Sequence, residues 1–443
     1  MRPLNSLSFE ALVALLSAHF SQIEDCRDPQ RINYSLHDTL MAGFAMFFFQ
    51  HPSLLQFQTA MKEKRGRCNL ETLFGVHDLP SETQMRELLD EVEVAELGKL
   101  FGVLFERLRR AGWAESYQTT ITSGSSAGAY YVMALDGTDY FSSMKIACAN
   151  CLRRKDTTGE LHYYHAVVAA TLVRSGSHQI LPMAAEMIAN TDGQQKQDCE
   201  INAAKRLLAR LRAEHRQLAM IVTGDDLYSR EPLIEKCQEN RLHYLLVAKE
   251  DSHPEMIEWV EEIDRLGGSE RGQWQEGPAC KRKTVEYRIV REVPLTAKRQ
   301  QYVTYVEVWE TNQTGKQVYH NAWVTDLEVR RENVAVIVGI GRSRWKIENE
   351  QFNVQKNHGY ELEHNYGHGK KNLAMVFYLL NLLAFIVHKL IERGDRFYQR
   401  YREMGESRRE MWNVLRTLMK KFLFESWEGM LKVCLGEEAE ASP

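Results

Sequence analysis

The stretch "YYVMALDGTDYFSS", Tyr130–Ser143, decides the fold class of this 443-residue chain. It begins with a short apolar run, ends that run at Asp136, and then turns through a glycine and a threonine. Apolar and aromatic runs bounded by turn residues are typical of buried strands. An aspartate at the end of such a run is costly unless water, a partner charge or a metal satisfies it. The stretch therefore predicts a core strand that brings a carboxylate to the end of a sheet.

The sequence after this strand continues with alternating strands and helices. "HYYHAVVAATLV" and "QILPMAAEMI" predict two more strands, and "DCEINAAKRLLARLRAEHRQ" predicts a helix of about twenty residues. A fourth strand, "LAMIVTGDD", a short helix, "REPLIEKCQEN", and a fifth strand, "HYLLVAKE", complete the series. The order β-β-β-α-β-α-β predicts an α/β fold with a mixed sheet flanked by helices.

The rest of the chain divides around this region. Residues 1–121 have apolar residues at helical spacing, with Ser81 as one predicted N-cap, and "TSGSSAGA", Thr122–Ala129, is predicted to be a linker. We expect the first part of the α/β domain at 130–250, a β-rich insertion at 251–325 and a helical second part at 326–392. Residues 393–443 are predicted to be a basic helical region with a disordered acidic tail, "GEEAEASP".

Composition indicates an ordinary globular protein, with 44% hydrophobic and 26% charged residues. The net charge of -4 conceals two basic stretches. Lys281–Arg299 holds seven basic residues against two glutamates, and Arg393–Lys421 holds nine against four acidic ones. Each stretch is either a solvated mixed-charge face or a surface for a polyanion.

We expect a protein of the reducing cytoplasm without a membrane span. The first twenty residues are amphipathic rather than a secretory signal, and the eight cysteines have irregular spacing. The longest apolar run, "LAMVFYLLNLLAFIVHKL" from Leu373, is interrupted by Asn381 and is shorter than the roughly 20 residues of a span. It is predicted to be a buried helix.

Two aspartates end strands in the same manner. Asp225 follows "LAMIVTG" as Asp136 follows "YYVMAL". If the first and fourth strands are neighbours, the two carboxylates come close together and their repulsion requires a cation, for which Mg²⁺ is suited. The alternative is that each aspartate only caps a turn. Asp226, next to Asp225, leaves the choice between the two open.

A third carboxylate is expected from "RSRWKIENEQFNVQKNHGYELEHNYGHGKKN", Arg342–Asn372. On a helix, Arg344, Glu348 and Gln355 share one face. Glu350 lies about 200° round the helix from Glu348, so only one of them can face the aspartates. Arg344 has the fork geometry that binds phosphate, which favours Glu348 over Glu350. The alternative for Glu348 is an ordinary solvated glutamate.

These residues carry a resemblance. "ALDGTDYF", "IVTGDDLYS" and "GRSRWKIENEQFNVQKNHGYELEHNYGHG" resemble the three acidic motifs of DDE transposases from bacterial insertion sequences, which have an RNase H-like core. The resemblance extends from about residue 30 to residue 390. It implies that Asp136, Asp225 and Glu348 are a catalytic, metal-binding triad. It also implies a β-rich insertion between the second and third acids, and an N-terminal region that grips the ends of the element.

The chemistry implied is phosphoryl transfer at DNA phosphates with two Mg²⁺ ions, for which Mn²⁺ can substitute. Water as nucleophile would nick the ends of the element, and a 3′-hydroxyl would join them to target DNA. The expected partners are the terminal inverted repeats and target DNA, bound by a homodimer. The alternatives are a metal-dependent nuclease of the same fold and a DNA-binding protein that has lost catalysis.

The resemblance departs from the family pattern at two positions. Gly341 stands where the family often has tyrosine, and Gln355 where it has lysine, with Lys356 one place later. The residues that we expect to contact DNA are Arg344, Gln355, Lys356, Lys281, Arg282 and Lys283.

Cysteines and histidines allow other metal sites. Cys148 and Cys151 form a Cys-x-x-Cys pair, with His162 and His165 downstream, as in some zinc sites. Reduced cysteines in a hairpin are the favoured interpretation. A second group, His358, His364 and His368, is expected to lie in a loop near DNA rather than to bind a metal.

Overall fold

The fold is taken from a computed structural model, which describes residues 6–25, 27–28, 30, 32–189, 198–298, 300–405 and 407–437. The predicted α/β class is confirmed, because the described chain contains one mixed sheet of eleven strands with helices around it. The acidic tail from residue 438 and Arg299 of the first basic stretch lie outside the described residues.

The elements of the described chain have the following bounds. The strands are β1 (Gln118–Ser123), β2 (Ser126–Ser143), β3 (Leu152–Lys155), β4 (Leu161–Val173), β5 (Leu181–Ile188), β6 (Met220–Gly224), β7 (His243–Val247), β8 (Ser269–Glu276), β9 (Lys283–Pro294), β10 (Tyr302–Thr311) and β11 (Gln317–Thr325). The helices are α1 (Phe9–Phe20), α2 (Leu36–Phe48), α3 (Leu54–Lys62), α4 (Lys64–Phe74), α5 (Glu82–Asp90), α6 (Val94–Arg110), α7 (Glu200–Glu214), α8 (Glu231–Glu239), α9 (Pro254–Arg265), α10 (Val334–Arg342), α11 (Asn353–Asn357), α12 (Leu373–Gly394), α13 (Arg396–Glu403), α14 (Arg408–Lys421) and α15 (Trp427–Cys434).

The sheet places the first and fourth predicted strands side by side. Its path is β3-β4-β2-β6-β7-β11-β10-β9-β8, with β1 on β2 and β5 on β4. β4 is antiparallel to both β2 and β5, whereas β6 is parallel to both β2 and β7. Parallel neighbours end at the same edge, so residues after β6 meet residues of β2 there.

The N-terminal region is helical in its described part, as predicted, and Ser81 caps α5. The Ser81 side chain accepts from the Gln84 amide, and the Gln84 side chain accepts from the Ser81 amide, which is a complete capping box. The prediction that Thr122–Ala129 is a linker between domains is wrong. It forms the β1–β2 hairpin, in which Ser123 pairs with Ser126 and Gly124 adopts a φ of 58°. Turn residues there mark a tight reversal between strands rather than a domain boundary.

The β-rich insertion continues the same sheet. β11 pairs antiparallel with β7, and β10, β9 and β8 follow in order. Helix α9, which the sequence pattern did not predict, packs on β9 through the buried Arg288. The guanidinium of Arg288 contacts Glu261 at 2.9 Å, Asp264 at 3.0 Å and Glu307 at 2.6 Å. Arg288 therefore belongs to a structural ion-pair network and not to an exposed basic face.

Helix α12 is long and apolar enough to cross a membrane, but 94% of its most apolar window is buried inside the protein. Its 22 residues exceed the length expected from the sequence, while its buried position is as predicted. Asn381 in its middle donates to the Tyr360 carbonyl at 2.8 Å and accepts from the Gln355 amide at 3.1 Å. The polar residue thus fastens α12 to the segment that follows α11.

The second basic stretch, Arg393–Lys421, is only partly available to a partner. Arg416 donates to the carbonyl oxygens of Phe49 and Gln50 at 2.8 and 2.6 Å. Arg408 pairs with Glu392 at 2.7 Å. Arginines of this stretch therefore fasten the C-terminal helices to the rest of the protein, which a charge count along the sequence does not reveal.

Candidate active site

Asp136 and Asp225 lie level with each other on neighbouring strands. In the β2–β6 ladder Ala134 pairs with Thr223, and each aspartate is two residues further along its chain. Both side chains are half-buried. The sequence-based expectation that the two strands bring these carboxylates together is met by the register of the sheet.

The structure separates the roles of Asp225 and Asp226. One Asp226 oxygen accepts from the Lys249 amide at 2.7 Å, and the other accepts from the Ser252 hydroxyl. Asp226 therefore holds the loop after β7. Asp225 caps the following turn by accepting from the Leu227 amide at 3.0 Å, and its charge acts on Asp136. Asp225, and not Asp226, is therefore the aspartate that lies beside Asp136 in the candidate site.

Glu348 lies in a π-helical turn, Ile347–Phe352, that packs against β2. The turn follows a short 3₁₀ segment, Ser343–Trp345, and leads into α11. The sequence pattern predicts a regular helix here, and the structure differs. Single π turns are rare and occur often at functional sites, because the wider turn redirects one side chain relative to its neighbours.

Arg344 connects Glu348 to Asp136. Its Nη1 lies 2.5 Å from Glu348 Oε1 and 3.8 Å from Asp136 Oδ2. Glu350 faces away, with its Oε1 3.1 Å from the ring of His178. The structure thus places Glu348, and not Glu350, beside Asp136.

Burial and neighbouring negative charges disfavour the ionised form of Asp136. Burial raises the pKa of Asp136 to about 7, and repulsion from Glu348 acts in the same direction. The charges of Asp225 and Glu200 raise this pKa further, whereas Arg344 lowers it. Carboxylates that repel one another at a partly buried position form a binding site for a cation.

The donor set fits Mg²⁺. Carboxylate oxygens are hard ligands, and Mg²⁺ keeps several waters when one or two carboxylates hold it. Within the part of the chain that the structure describes, the carboxylates do not converge to within 4.8 Å of one another as a closed set. The chemical type of the donors therefore fits Mg²⁺, whereas their spacing in the structure does not by itself define a coordination site.

Glu200 is a fourth carboxylate that the sequence pattern did not indicate. It opens α7, and its carboxylate accepts a hydrogen bond from the Tyr228 hydroxyl. Gly137 makes room for it, because a Cβ at that position would lie 2.6 Å from Glu200 Oε2. Burial raises the pKa of Glu200. A glutamate in the first turn of a helix is common because it interacts favourably with the helix dipole, so the position of Glu200 in the sequence does not indicate this role.

A cleft of about 770 Å³ begins at Gly137, the residue after Asp136. The residues that line it include Asp139, Arg154, Tyr164 and Lys356. Arg154 lies 4.5 Å over the Tyr164 ring and pairs with Asp139. Lys356, predicted to contact DNA, reaches this cleft and pairs with Glu363 at 2.8 Å. Both cationic side chains of the cleft are thus paired with carboxylates, and Asp198 and Glu200 add two further carboxylates to its lining.

Gly341 and Gln355, the two positions that differ from the third acidic motif of DDE transposases, each have a structural reason for the residue found there. Gln355 is fully buried and donates to Asn381, so the structure contradicts its predicted contact with DNA. Gly341 packs against Trp323, and a Cβ at residue 341 would lie 2.5 Å from the indole nitrogen. A tyrosine therefore has no room at that position.

Lys281, Arg282 and Lys283 are exposed at the start of β9. Lys283 pairs with Glu310 at 3.0 Å. Lys281 and Lys283 line a hollow of about 520 Å³ that they share with Trp345, which is 41% exposed. Because Trp345 directly follows Arg344, the insertion brings this basic group close to the helix that carries Glu348.

The three histidines after α11, His358, His364 and His368, do not share one environment. His358 and His364 are exposed, and only 9% of the His368 surface is exposed. The expectation that all three lie in a DNA-facing loop is therefore wrong for His368.

His368 joins the Cys-x-x-Cys pair instead. Cys148, Cys151, His165 and His368 bring their donor atoms within 4.8 Å of one another. His162, the other histidine considered for this site, pairs with Asp156 at 3.1 Å. The fourth member comes from 200 residues further along the chain, so local spacing could not reveal it.

Proton binding at Asp136 gives a test of the cation site. Between its ordinary pKa of 3.8 and about 7, the folded metal-free protein holds a proton that the unfolded chain has lost. The stability of the metal-free protein should therefore fall as pH rises through this window. Mg²⁺ competes with that proton, so its stabilising effect should be larger at about pH 8 than at about pH 6.

The measurement is thermal unfolding with and without Mg²⁺ at both pH values, for the natural protein and for Asp136→Asn. The Asp136→Asn variant should lose most of the stabilisation by Mg²⁺ at both pH values. Equal Mg²⁺ effects at the two pH values in the natural protein would contradict the cation site.

Comparisons with known proteins do not identify a family for this chain. No model of a known protein family matches the chain, and no curated protein matches it significantly. The chain is similar to a chain of a solved structure, a piggyBac transposase synaptic complex with hairpin DNA. The similarity covers 97% of this chain and 80% of that one, with 10% sequence identity and a TM-score of 0.37. At this TM-score the likeness carries no argument, and the function is inferred from the site itself.

Proposed function

We propose that this protein is a DDE-type transposase, which cleaves DNA at the ends of a mobile element and joins them to target DNA. One observation carries the proposal: Asp136 and Asp225 lie level on adjacent parallel strands, and Glu348 lies beside Asp136. Three carboxylates from distant parts of the sequence lie near one edge of the sheet. Structural ion pairs do not require like charges to lie near one another in this way.

An RNase H-like core is part of the proposal. Its support is the path β5-β4-β2-β6-β7. In this path β4 is antiparallel to both β5 and β2, and β6 lies parallel to β2. The insertion between the second and third acids follows from the same order, because β8–β11 separate β7 from the helix of Glu348.

The proposed ligands of two Mg²⁺ ions, with Mn²⁺ as a substitute, are Asp136, Asp225 and Glu348. Bound ions of this kind make water or a 3′-hydroxyl a stronger nucleophile and stabilise the leaving oxygen. The half-buried aspartates are fixed by the sheet, so they are positioned before substrate arrives. Glu200 adds negative charge on the far side of Gly137, and this charge strengthens the attraction for cations.

Cationic side chains around the carboxylates would hold the DNA backbone. Arg344 pairs with Glu348 in the structure, and a phosphate beside the ions gives its guanidinium an alternative bidentate partner. Lys356 in the cleft and the exposed Lys281 and Arg282 on the insertion supply further charge for phosphates. The exposed Trp345 offers a ring on which an unpaired base can stack.

The proposed partners are the inverted repeats at the two ends of the element and the target DNA, with one copy of the protein at each end in a homodimer. The second candidate is a metal-dependent nuclease with the same site that cuts DNA without joining it. Both use the same carboxylates, so joining is the property that separates them.

A transfer assay in cells tests the proposal. A resistance gene is placed between the two DNA segments that flank this coding sequence, and the protein is expressed from a separate plasmid. We expect the resistance gene to move into a target plasmid, and Asp225→Asn to reduce this movement to the background level, because a ligand is lost.

Asp226→Asn is a poor control because it would loosen the loop after β7. Glu258→Gln is a better matched control, since Glu258 is exposed on α9 and lies outside the triad. Cleavage without any joined product would favour the nuclease.

A further inference from the structure

Four soft donors converge at a position separate from the carboxylates. Cys148 and Cys151 lie in the turn between β2 and β3, His165 lies on β4, and His368 lies in the loop between α11 and α12. Cys148 is half-buried, and the other three side chains are buried. None of the four has a role in the proposed DNA chemistry.

The distances between the donor atoms match the edges of a zinc tetrahedron. Zn–S bonds near 2.3 Å and Zn–N bonds near 2.05 Å give edges of roughly 3.8 Å for S···S, 3.6 Å for S···N and 3.3 Å for N···N. The two sulfurs are 3.8 Å apart, and His165 Nε2 is 3.5 Å from each of them. His368 Nε2 is 3.2 Å from Cys151 Sγ and 3.1 Å from His165 Nε2.

The sulfur separation is too long for a disulfide, which requires about 2.05 Å. The backbone amide of Cys148 also donates to Cys151 Sγ at 3.4 Å. Two histidine nitrogens that lie against the sulfurs distinguish this pair from an isolated Cys-x-x-Cys dithiol.

The tautomer of His368 leaves its Nε2 available. The Gly369 carbonyl, 3.0 Å from Nδ1, fixes the proton on that nitrogen. Nε2 then carries a lone pair directed into the cluster. His165 has no such partner in the described chain, because its Nδ1 is buried without a hydrogen bond. His368 is the better oriented of the two histidines.

We propose that Cys148, Cys151, His165 and His368 bind one Zn²⁺ ion as a structural site. All four positions of the tetrahedron are taken by protein side chains, so no position is open for water or substrate, as in structural rather than catalytic zinc sites. The rings of Tyr140 and Phe141 cover the histidines.

The ion would fasten the loop after Glu348 to the strand that carries Asp136. His368 lies twenty residues beyond Glu348, and Cys148 lies twelve beyond Asp136. Asp90 already holds the same loop, since its carboxylate accepts from the amides of residues 370–373 at 2.8 to 3.0 Å. Zinc would fix the other side of the loop and so hold the spacing between the two motifs.

Metal content of the full-length protein tests this site without reference to activity. Protein purified without chelator or histidine tag is expected to contain about one zinc per chain by elemental analysis. Replacement by Co²⁺ should produce the visible absorption of a tetrahedral ion with thiolate ligands. Cys148→Ser and His368→Ala should lose the metal, whereas Cys280→Ser, which changes an exposed cysteine, should retain it.

If the ligand variants fail to fold, His368→Cys provides a conservative substitute that should keep Co²⁺ with a shifted spectrum. Natural protein without zinc and without a tetrahedral Co²⁺ spectrum would overturn the proposal. A disulfide between Cys148 and Cys151 in protein kept under reducing conditions would also overturn it. Neither result would affect the carboxylate site.

Discussion

Glu348→Gln is expected to reduce DNA strand cleavage by at least about 100-fold, because loss of a metal ligand should exceed the 10–100-fold cost of losing an outer-shell partner. The change is nearly isosteric, and Glu348 is exposed, so folding and DNA binding should persist. The amide cannot supply the negative charge that Asp136 and Asp225 share with a cation. The measurement is cleavage by purified protein of a duplex that carries the DNA flanking the coding sequence.

Glu350→Gln is the matched control. It lies two residues away and removes the same charge, but Glu350 faces His178. A partly exposed pair of this kind contributes less than about 1 kcal/mol, so cleavage should stay within a few-fold of the natural protein. If Glu350→Gln is inactive while Glu348→Gln still cuts, the placement of the π turn is wrong.

Omission of Mg²⁺ is expected to reduce cleavage by at least about 1000-fold, since the ions contribute several kcal/mol to transition-state stabilisation. Addition of Mg²⁺ or Mn²⁺ should restore it. The ion should be left out of the buffer rather than removed with a strong chelator, because a chelator would also extract zinc from the cysteine and histidine cluster.

DNA binding at each metal concentration serves as the control for this experiment. Cleavage that proceeds fully in buffer free of divalent ions would exclude the two-metal chemistry. If cleavage fails in Mg²⁺ but returns when zinc is added, the ion that cleavage requires is the one at the cysteine and histidine cluster.

The parts of the site that could be predicted are those fixed by short-range patterns. Asp136 and Asp225 each end an apolar run, and sheet register then sets them level. Glu348 could be chosen over Glu350 because side chains two positions apart point to different sides of a helical turn, and Arg344 lies on the side of Glu348. The α/β class followed from the same runs, since the alternation of strands and helices is a local property.

The other parts depend on long-range contacts. Gln355 is polar and lies near the motif, but its amide pairs with Asn381 inside the core. His368 completes a cluster whose other members lie some 200 residues earlier. Arg288 and Arg416 look like members of basic stretches, but each is occupied by partners from other elements. Sequence spacing records only which charges are close along the chain.

The turn chemistry was also ambiguous. Thr122–Ala129 has the composition of a linker, yet a two-residue reversal with Gly124 at positive φ joins two paired strands. A π turn has no sequence signature of its own, and the wider turn at Ile347–Phe352 packs against β2, a strand some 200 residues earlier in the chain.

The most direct measurement is the product of the natural protein on a labelled duplex that contains the flanking DNA, incubated in Mg²⁺ with a supercoiled target plasmid. The carboxylate site predicts a single cut at the end of the flanking repeat, a free 3′-hydroxyl on the element strand and its covalent attachment to the plasmid. A protein that is folded, binds this duplex and carries Mg²⁺, yet leaves both strands intact, would contradict the proposal that Asp136, Asp225 and Glu348 form a phosphoryl-transfer site.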